Sequence, residues 1–141
     1  MYTTSTRTEW YTVSMNPKNG KKVLIVEDDN LLLVTLTHQF EEAGYEVVQA
    51  RDGEAGMRSY DEAHPDAVIM DVMMPKKDGL AMLEAIRAEH PDDHTPFIIL
   101  TNAGDMDYVA RATEIGTAAY LVKSDRQIDS VVGIVNEKLG L

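Results

Sequence analysis

The 141-residue chain contains no cysteine. A disulfide framework, a thiol nucleophile and a Cys-ligated zinc are thereby excluded, and the composition suits a reducing compartment. Basic residues are scarce beside acidic ones: 13 Lys and Arg face 24 Asp and Glu, for a formal net charge of −11. That balance works against phosphate backbones and anionic membranes, so direct nucleic-acid binding is not expected. No apolar run is long enough for a membrane helix, and no signal-peptide core is visible. The expectation is a cytoplasmic protein. The four histidines show no mutual spacing suggestive of zinc. No Gly-rich loop follows the first apolar run, which speaks against a flavin or nucleotide binder.

What is present is a regular alternation. The first stretch, residues 1–20, is rich in Thr and Ser and ends in turn formers. It reads as an N-terminal arm, either flexible, foreign to the natural protein, or upstream of a start at Met15, although the alternation around Trp10, Thr12 and Ser14 could also form a strand. From Lys21, short apolar runs alternate with helical patterns, which predicts a parallel sheet flanked by helices in one domain, residues 21–141. The runs are "KVLIVE" (22–27), "YEVVQA" (45–50), "DAVIMD" (66–71), "FIILT" (97–101) and "AAYLVK" (118–123).

Five helical patterns separate and follow these runs. The first, capped by Asp29 or Asn30, carries Leu32, Leu36, Phe40 and Ala43 and stops at Gly44. The second halts before Pro65, and the third starts at Asp78 and carries Leu80, Leu83 and Ile86. The fourth, over 105–115, has a thin stripe of Val109 and Ala112 and should be the least firmly held. The last repeats Ile128, Val131, Val132, Val135 and Leu139. Met57, Met70, Met74 and Met82 read as core filler rather than metal ligands.

Polar residues gather where the apolar runs end: Glu27-Asp28-Asp29, Asp71, Thr101-Asn102 and Lys123. Parallel strands would open all of these ends on one rim, where open α/β sheets place their ligands. Helix capping alone explains Asp29 or Asp78, but not the whole set. Three carboxylates from Glu27, Asp28 and Asp71 within about 5 Å of one another would repel by roughly 3 kcal/mol per pair at an effective dielectric near 20. One lysine cannot cancel that. A divalent cation can, and an all-oxygen site suits Mg²⁺. An aspartate beside Mg²⁺, an ammonium group and a hydroxyl is equipment for accepting a phosphoryl group.

With "VLIVEDD", "VIMDVMMPKKDG", "IILTNA" and "AYLVK" taken together, residues 21–141 resemble a two-component response-regulator receiver domain. The resemblance implies a flavodoxin-like (βα)5 doubly wound sheet in the order 2-1-3-4-5. It implies that Asp71 takes phosphate from the phosphohistidine of a sensor histidine kinase or phosphotransfer protein. Glu27 and Asp28 would serve Mg²⁺, Asp28 directly and Glu27 partly through water, and the backbone carbonyl of Met73 would complete the ligands. Thr101 would be the switching hydroxyl, Lys123 the ammonium that pairs with phosphoryl oxygens, and Tyr120 the aromatic switch. Helix four, strand five and helix five would form the output face toward a downstream protein, in a monomer or a phosphorylation-dependent dimer. Beyond its own phosphotransfer and slow autodephosphorylation, such a domain is not an enzyme.

Four positions bear on how closely the sequence keeps to the family pattern. Asn102 follows the switch threonine where a very small residue is usual, and Ser124 replaces a common proline. Met73 and Ala103 stand where the family influences attack by water, and neither side chain orients a water well, so a long-lived phosphoryl state is expected. The main rival, a Mg²⁺-dependent phosphohydrolase with an aspartyl nucleophile, would want a second acid at the place of Met73. A degenerate receiver acting only as a binding module is disfavoured by the joint presence of Asp71, Thr101 and Lys123.

Overall fold

In the computed structural model, residues 19–72, 78–102, 104 and 106–141 are described. Among them, β1 (Lys22–Val26), β2 (Glu46–Ala50), β3 (Ala67–Asp71), β4 (Phe97–Thr101) and β5 (Ala119–Val122) form one parallel sheet in the order β2-β1-β3-β4-β5. This is the flavodoxin-like arrangement the resemblance implies. Order and burial agree: β3 and β4, in the middle, are buried at every position, whereas the edge strands β2 and β5 alternate or are half-exposed.

Strand periodicity divides the core in two. Leu24, Val26, Val68, Met70, Phe97 and Ile99 pack on one face with Tyr60, Met82, Leu83 and Ile86. Val23, Ile25, Ile69, Ile98 and Leu100 pack on the other with Leu36, Phe40, Val131 and Val135. Helices α2 (Gly53–Ala63), α3 (Gly79–Glu89) and α4 (Met106–Ile115) contribute to the first layer, and α1 (Asn30–Glu42), α5 (Asp125–Ile128) and α6 (Val131–Leu139) to the second.

The helix boundaries follow local chemistry. Asp29 caps α1, accepting from the amides of Leu31 and Leu32, and Asp78 caps α3 through the amide of Ala81. Gly44, at φ 95°, lets the chain turn from α1 into β2. Helix α1 buries Leu33, Leu36 and Phe40, while Leu32 and Ala43 of the expected stripe are only partly buried against the same cluster. The last helical segment is divided: the Ser130 hydroxyl donates to Gln127 O at 2.7 Å, a local bond that competes with continuation and separates α5 from α6. Helix α4 buries Val109 and Ala112, as its thin stripe predicts. Met70 and Met82 are fully buried and Met57 is partly so, in keeping with core filler, while Met74 lies outside the described residues.

Candidate functional site

The strand order reverses between β1 and β3, and the carboxyl ends of these two neighbours carry the acids. Glu27 continues the alternation of Val23 and Ile25 and is fully buried, whereas the next residue, Asp28, is exposed. Asp71, the last residue of β3, is only 3% exposed. Carboxylate oxygens of Glu27, Asp28 and Asp71 all lie within 4.8 Å of one another. From the end of β5, Lys123 Nζ donates to Asp71 Oδ2 at 2.7 Å and to Glu27 Oε2 at 3.3 Å. The residues of the sequence cluster at the strand ends are thus brought to one rim.

The electrostatics are those of three clustered carboxylates beside one partly buried ammonium. Burial is the main force on Glu27 and pushes its carboxyl up to about 7, with the charge of Asp71 adding to the rise and the amide of Asp29 and the Lys123 ammonium opposing it. Burial alone would lower Lys123, but the hydrogen bond to Asp71 and the charges of both acids outweigh it and hold the ammonium above its ordinary value. Glu27 Oε2 accepts from the Asp29 amide at 3.0 Å. Its Oε1 is buried and accepts no hydrogen bond among the described residues; Lys123 Nζ, 3.1 Å away, supplies only charge. A buried carboxylate oxygen without a donor, beside two further carboxylates, is the environment an oxygen-seeking cation relieves, and the donor set fits Mg²⁺.

Thr101 is fully buried at the end of β4, and its hydroxyl donates to Asn102 O at 3.0 Å. Tyr120 is 47% exposed, so its ring stands on the outside of the sheet edge. Met73, expected to lend a backbone carbonyl, and Ala103 lie outside the described residues.

Three contacts around the site were not apparent from the sequence. Gly79 lies so close to the end of β3 that a Cβ there would sit 2.5 Å from Asp71 O and 2.8 Å from Val72 Cα. Its amide donates to Val72 O at 3.1 Å, fastening the start of α3 under the acid. Arg51, after β2, donates to Asn30 Oδ1 at 2.9 Å and to Asp28 O at 3.4 Å, bracing the loop that carries Asp28. Gln127 accepts from the Val122 amide at 2.7 Å, one residue before Lys123. Asp78 was readable as the start of a helix, but the close approach of Gly79 to β3 depends on tertiary packing.

A second trio, Asp61, Glu89 and His90, also places possible ligand atoms within 4.8 Å. Its acids are exposed, and the 3.0 Å contact of His90 Nε2 with Asp61 Oδ1 accounts for the approach.

Comparison with known proteins agrees with this fold. Residues 23–132 match the family described as the response regulator receiver domain. Transcriptional regulatory protein PdtaR of Mycobacterium tuberculosis is 38% identical over 104 residues, 73% of this chain and 49% of that protein. A response regulator receiver domain protein from Clostridium thermocellum superposes with a TM-score of 0.77 at 31% identity, covering 85% of this chain and 94% of that one. The receiver domain of sensor histidine kinase PA1611 from Pseudomonas aeruginosa PAO1, solved with a magnesium ion coordinated in its active-site cleft, has a TM-score of 0.76 at 26% identity and covers 86% and 98% of the two chains. The chain belongs to the response-regulator receiver family, whose members are signalling domains. It spans about half the length, or less, of the curated relatives it matches. Among the described residues no helix is long and apolar enough to cross a membrane.

Proposed function

We propose that the chain is a phosphoacceptor: Asp71 receives a phosphoryl group from the phosphohistidine of a sensor histidine kinase or phosphotransfer protein. The observation that carries this reading is the convergence of Glu27, Asp28 and Asp71 with Lys123 at the reversal of strand order, around the buried Glu27 Oε1, which has no donor among the described residues. An Asp71 oxygen attacks phosphorus as the P–N bond to the donor imidazole breaks, and the imidazole leaves with the bonding pair. Asp28, Glu27 and Asp71, with the carbonyl of Met73, would hold Mg²⁺. The ion, when bound, supplies charge neutralisation for the phosphoryl oxygens.

Lys123 already donates to Asp71 and has only to follow the new oxygens to remain paired. Thr101 must release Asn102 O to donate its hydroxyl to the phosphoryl group. That rotation opens space at the end of β4 into which Tyr120, now half-exposed, can turn. The face of α4, β5 and the last helical segment, α5 with α6, would then present a different surface to a downstream protein. Helix α4 is suited to such a change because it buries only Val109 and Ala112 among the side chains described.

Incubation with acetyl phosphate and Mg²⁺, followed by intact mass, tests the reading. One added phosphoryl group on the wild type, absent from Asp71→Asn, is expected. Mg²⁺ at about a hundred times its Kd should also stabilise the wild type by roughly 2.7 kcal/mol, through binding to the folded site alone. Absence of any adduct on the wild type overturns the proposal, and turnover of a phosphate ester would point to a hydrolase.

A further inference from the structure

Among the described residues β5 is an edge strand of the sheet, and the parallel ladder decides which of its amides have strand partners. The Lys123 amide points toward β4 and donates to Thr101 O at 2.7 Å. Alternation then turns the Val122 amide to the outer side, where the described residues add no further strand. Gln127 fills that place: its Oε1 accepts from Val122 N at 2.7 Å, reaching back from α5. Immediately afterwards the chain folds on itself, the Ser124 amide donating to Val122 O at 2.8 Å and the Ile128 amide to Ser124 O at 3.0 Å. Lys123 is therefore the central residue of a tight three-residue turn. Its backbone is fixed by β4 on the inner side, and the residue before it is fixed by Gln127 on the outer side. Ser124 has no ring to restrict the backbone dihedral, so the turn depends on these hydrogen bonds for its geometry.

We propose that Gln127 is a positioning residue for Lys123, holding the end of β5 so that the ammonium stands between Asp71 and Glu27 and meets the incoming phosphoryl oxygens. The proposal rests on the reading of Asp71 as phosphoryl acceptor. It assigns Gln127 no contact with a metal ion: the acids that would hold one come from β3 and from the end of β1, and Gln127 touches neither.

The proposal separates two quantities that a general loss of structure would move together. Phosphoryl uptake from acetyl phosphate in saturating Mg²⁺ is followed by intact mass, and Mg²⁺ affinity is taken from the dependence of melting temperature on Mg²⁺, for wild type, Gln127→Ala, Gln127→Met and Gln127→Glu. The Ala and Met variants, which lack the acceptor, should take up phosphate about tenfold more slowly, because misplacing one reacting group costs rate steeply. Their Mg²⁺ affinity should stay within about twofold of wild type. The Glu variant keeps an acceptor of the same reach and should charge at close to the wild-type rate. The proposal is overturned if Ala and Met charge as fast as wild type, if Glu is as slow as Ala, or if Mg²⁺ affinity falls in step with the rate. A wild type that takes up no phosphoryl group overturns the acceptor reading and this proposal with it, whereas a wild type that charges alongside unaffected variants overturns the proposal alone.

Discussion

Lys123 donates to Asp71 across 2.7 Å although the two residues lie on strands that do not pair with each other, with β4 between them. The ammonium bridges over the end of β4, beside Thr101. It is also within 3.1 Å of Glu27 Oε1, so this ammonium contacts both buried acids.

Removing this cation should therefore be costly. Lys123→Ala removes the ammonium that both Asp71 and Glu27 accept from, and a destabilisation of about 1–3 kcal/mol is expected in urea titrations at neutral pH without divalent cations. The deficit should shrink as pH is lowered, because protonating either acid removes the repulsion. A pH-independent deficit would show that Lys123 contributes packing rather than charge.

Glu27 should impose a pH dependence opposite to that of an ordinary surface-paired carboxylate. Its folded-state value, about 7, lies above the ordinary 4.5, so across that interval the folded protein binds more protons than the unfolded chain. The contribution of this group is fully present below pH 4.5 and is lost as pH rises through 7. It amounts to about 3 kcal/mol at most. Without divalent cations, Glu27→Gln should flatten the stability profile over that range and raise the melting temperature at neutral pH. Mg²⁺ needs the ionised carboxylate, so its apparent affinity for the wild type should increase with pH across the same range. Equal pH profiles for wild type and Glu27→Gln would show that Glu27 does not titrate there.

Gly79 offers a test of how closely the site is built against the backbone. In Gly79→Ala the new methyl would fall 2.5 Å from Asp71 O, and a backbone carbonyl cannot swing aside as a side chain can. The start of α3 must retreat from β3, at a cost of about 1–3 kcal/mol measurable by urea denaturation. Because the carbonyl belongs to the proposed acceptor residue, Mg²⁺-dependent stabilisation should weaken as well. A variant as stable as wild type would mean that α3 can shift freely.

Much of this was legible in the sequence, for a physical reason: strands buried on both faces must be apolar throughout, so β3 and β4 are visible as uninterrupted runs. Asp29, Asp78 and Gly44 act within a few residues of themselves, and local chemistry is what a sequence displays. Leu33 was missed because Leu31-Leu32-Leu33-Val34 offers several helical stripes, and only packing selects the one that turns Leu31 and Val34 to solvent. The break before α6 was missed because Ser130 fits a helical pattern until its hydroxyl bonds to Gln127 O. Arg87 gave no local signal: its guanidinium gathers the carbonyls of Asp93, Thr95 and Gly116 over the Phe97 ring, partners up to 29 residues away. The acids, Thr101 and Lys123 were readable as a set because each ends a strand, while the burial of Glu27 beside an exposed Asp28 required the register of β1.

The helix after β1 lies against one layer of the core and the helix after β3 against the other, so the two connections leave neighbouring strands in opposite directions. A notch between such diverging connections is a property of the winding itself and needs no side chain to prop it open. Replacing its lining would alter which ion or group can lodge there while leaving its location unchanged.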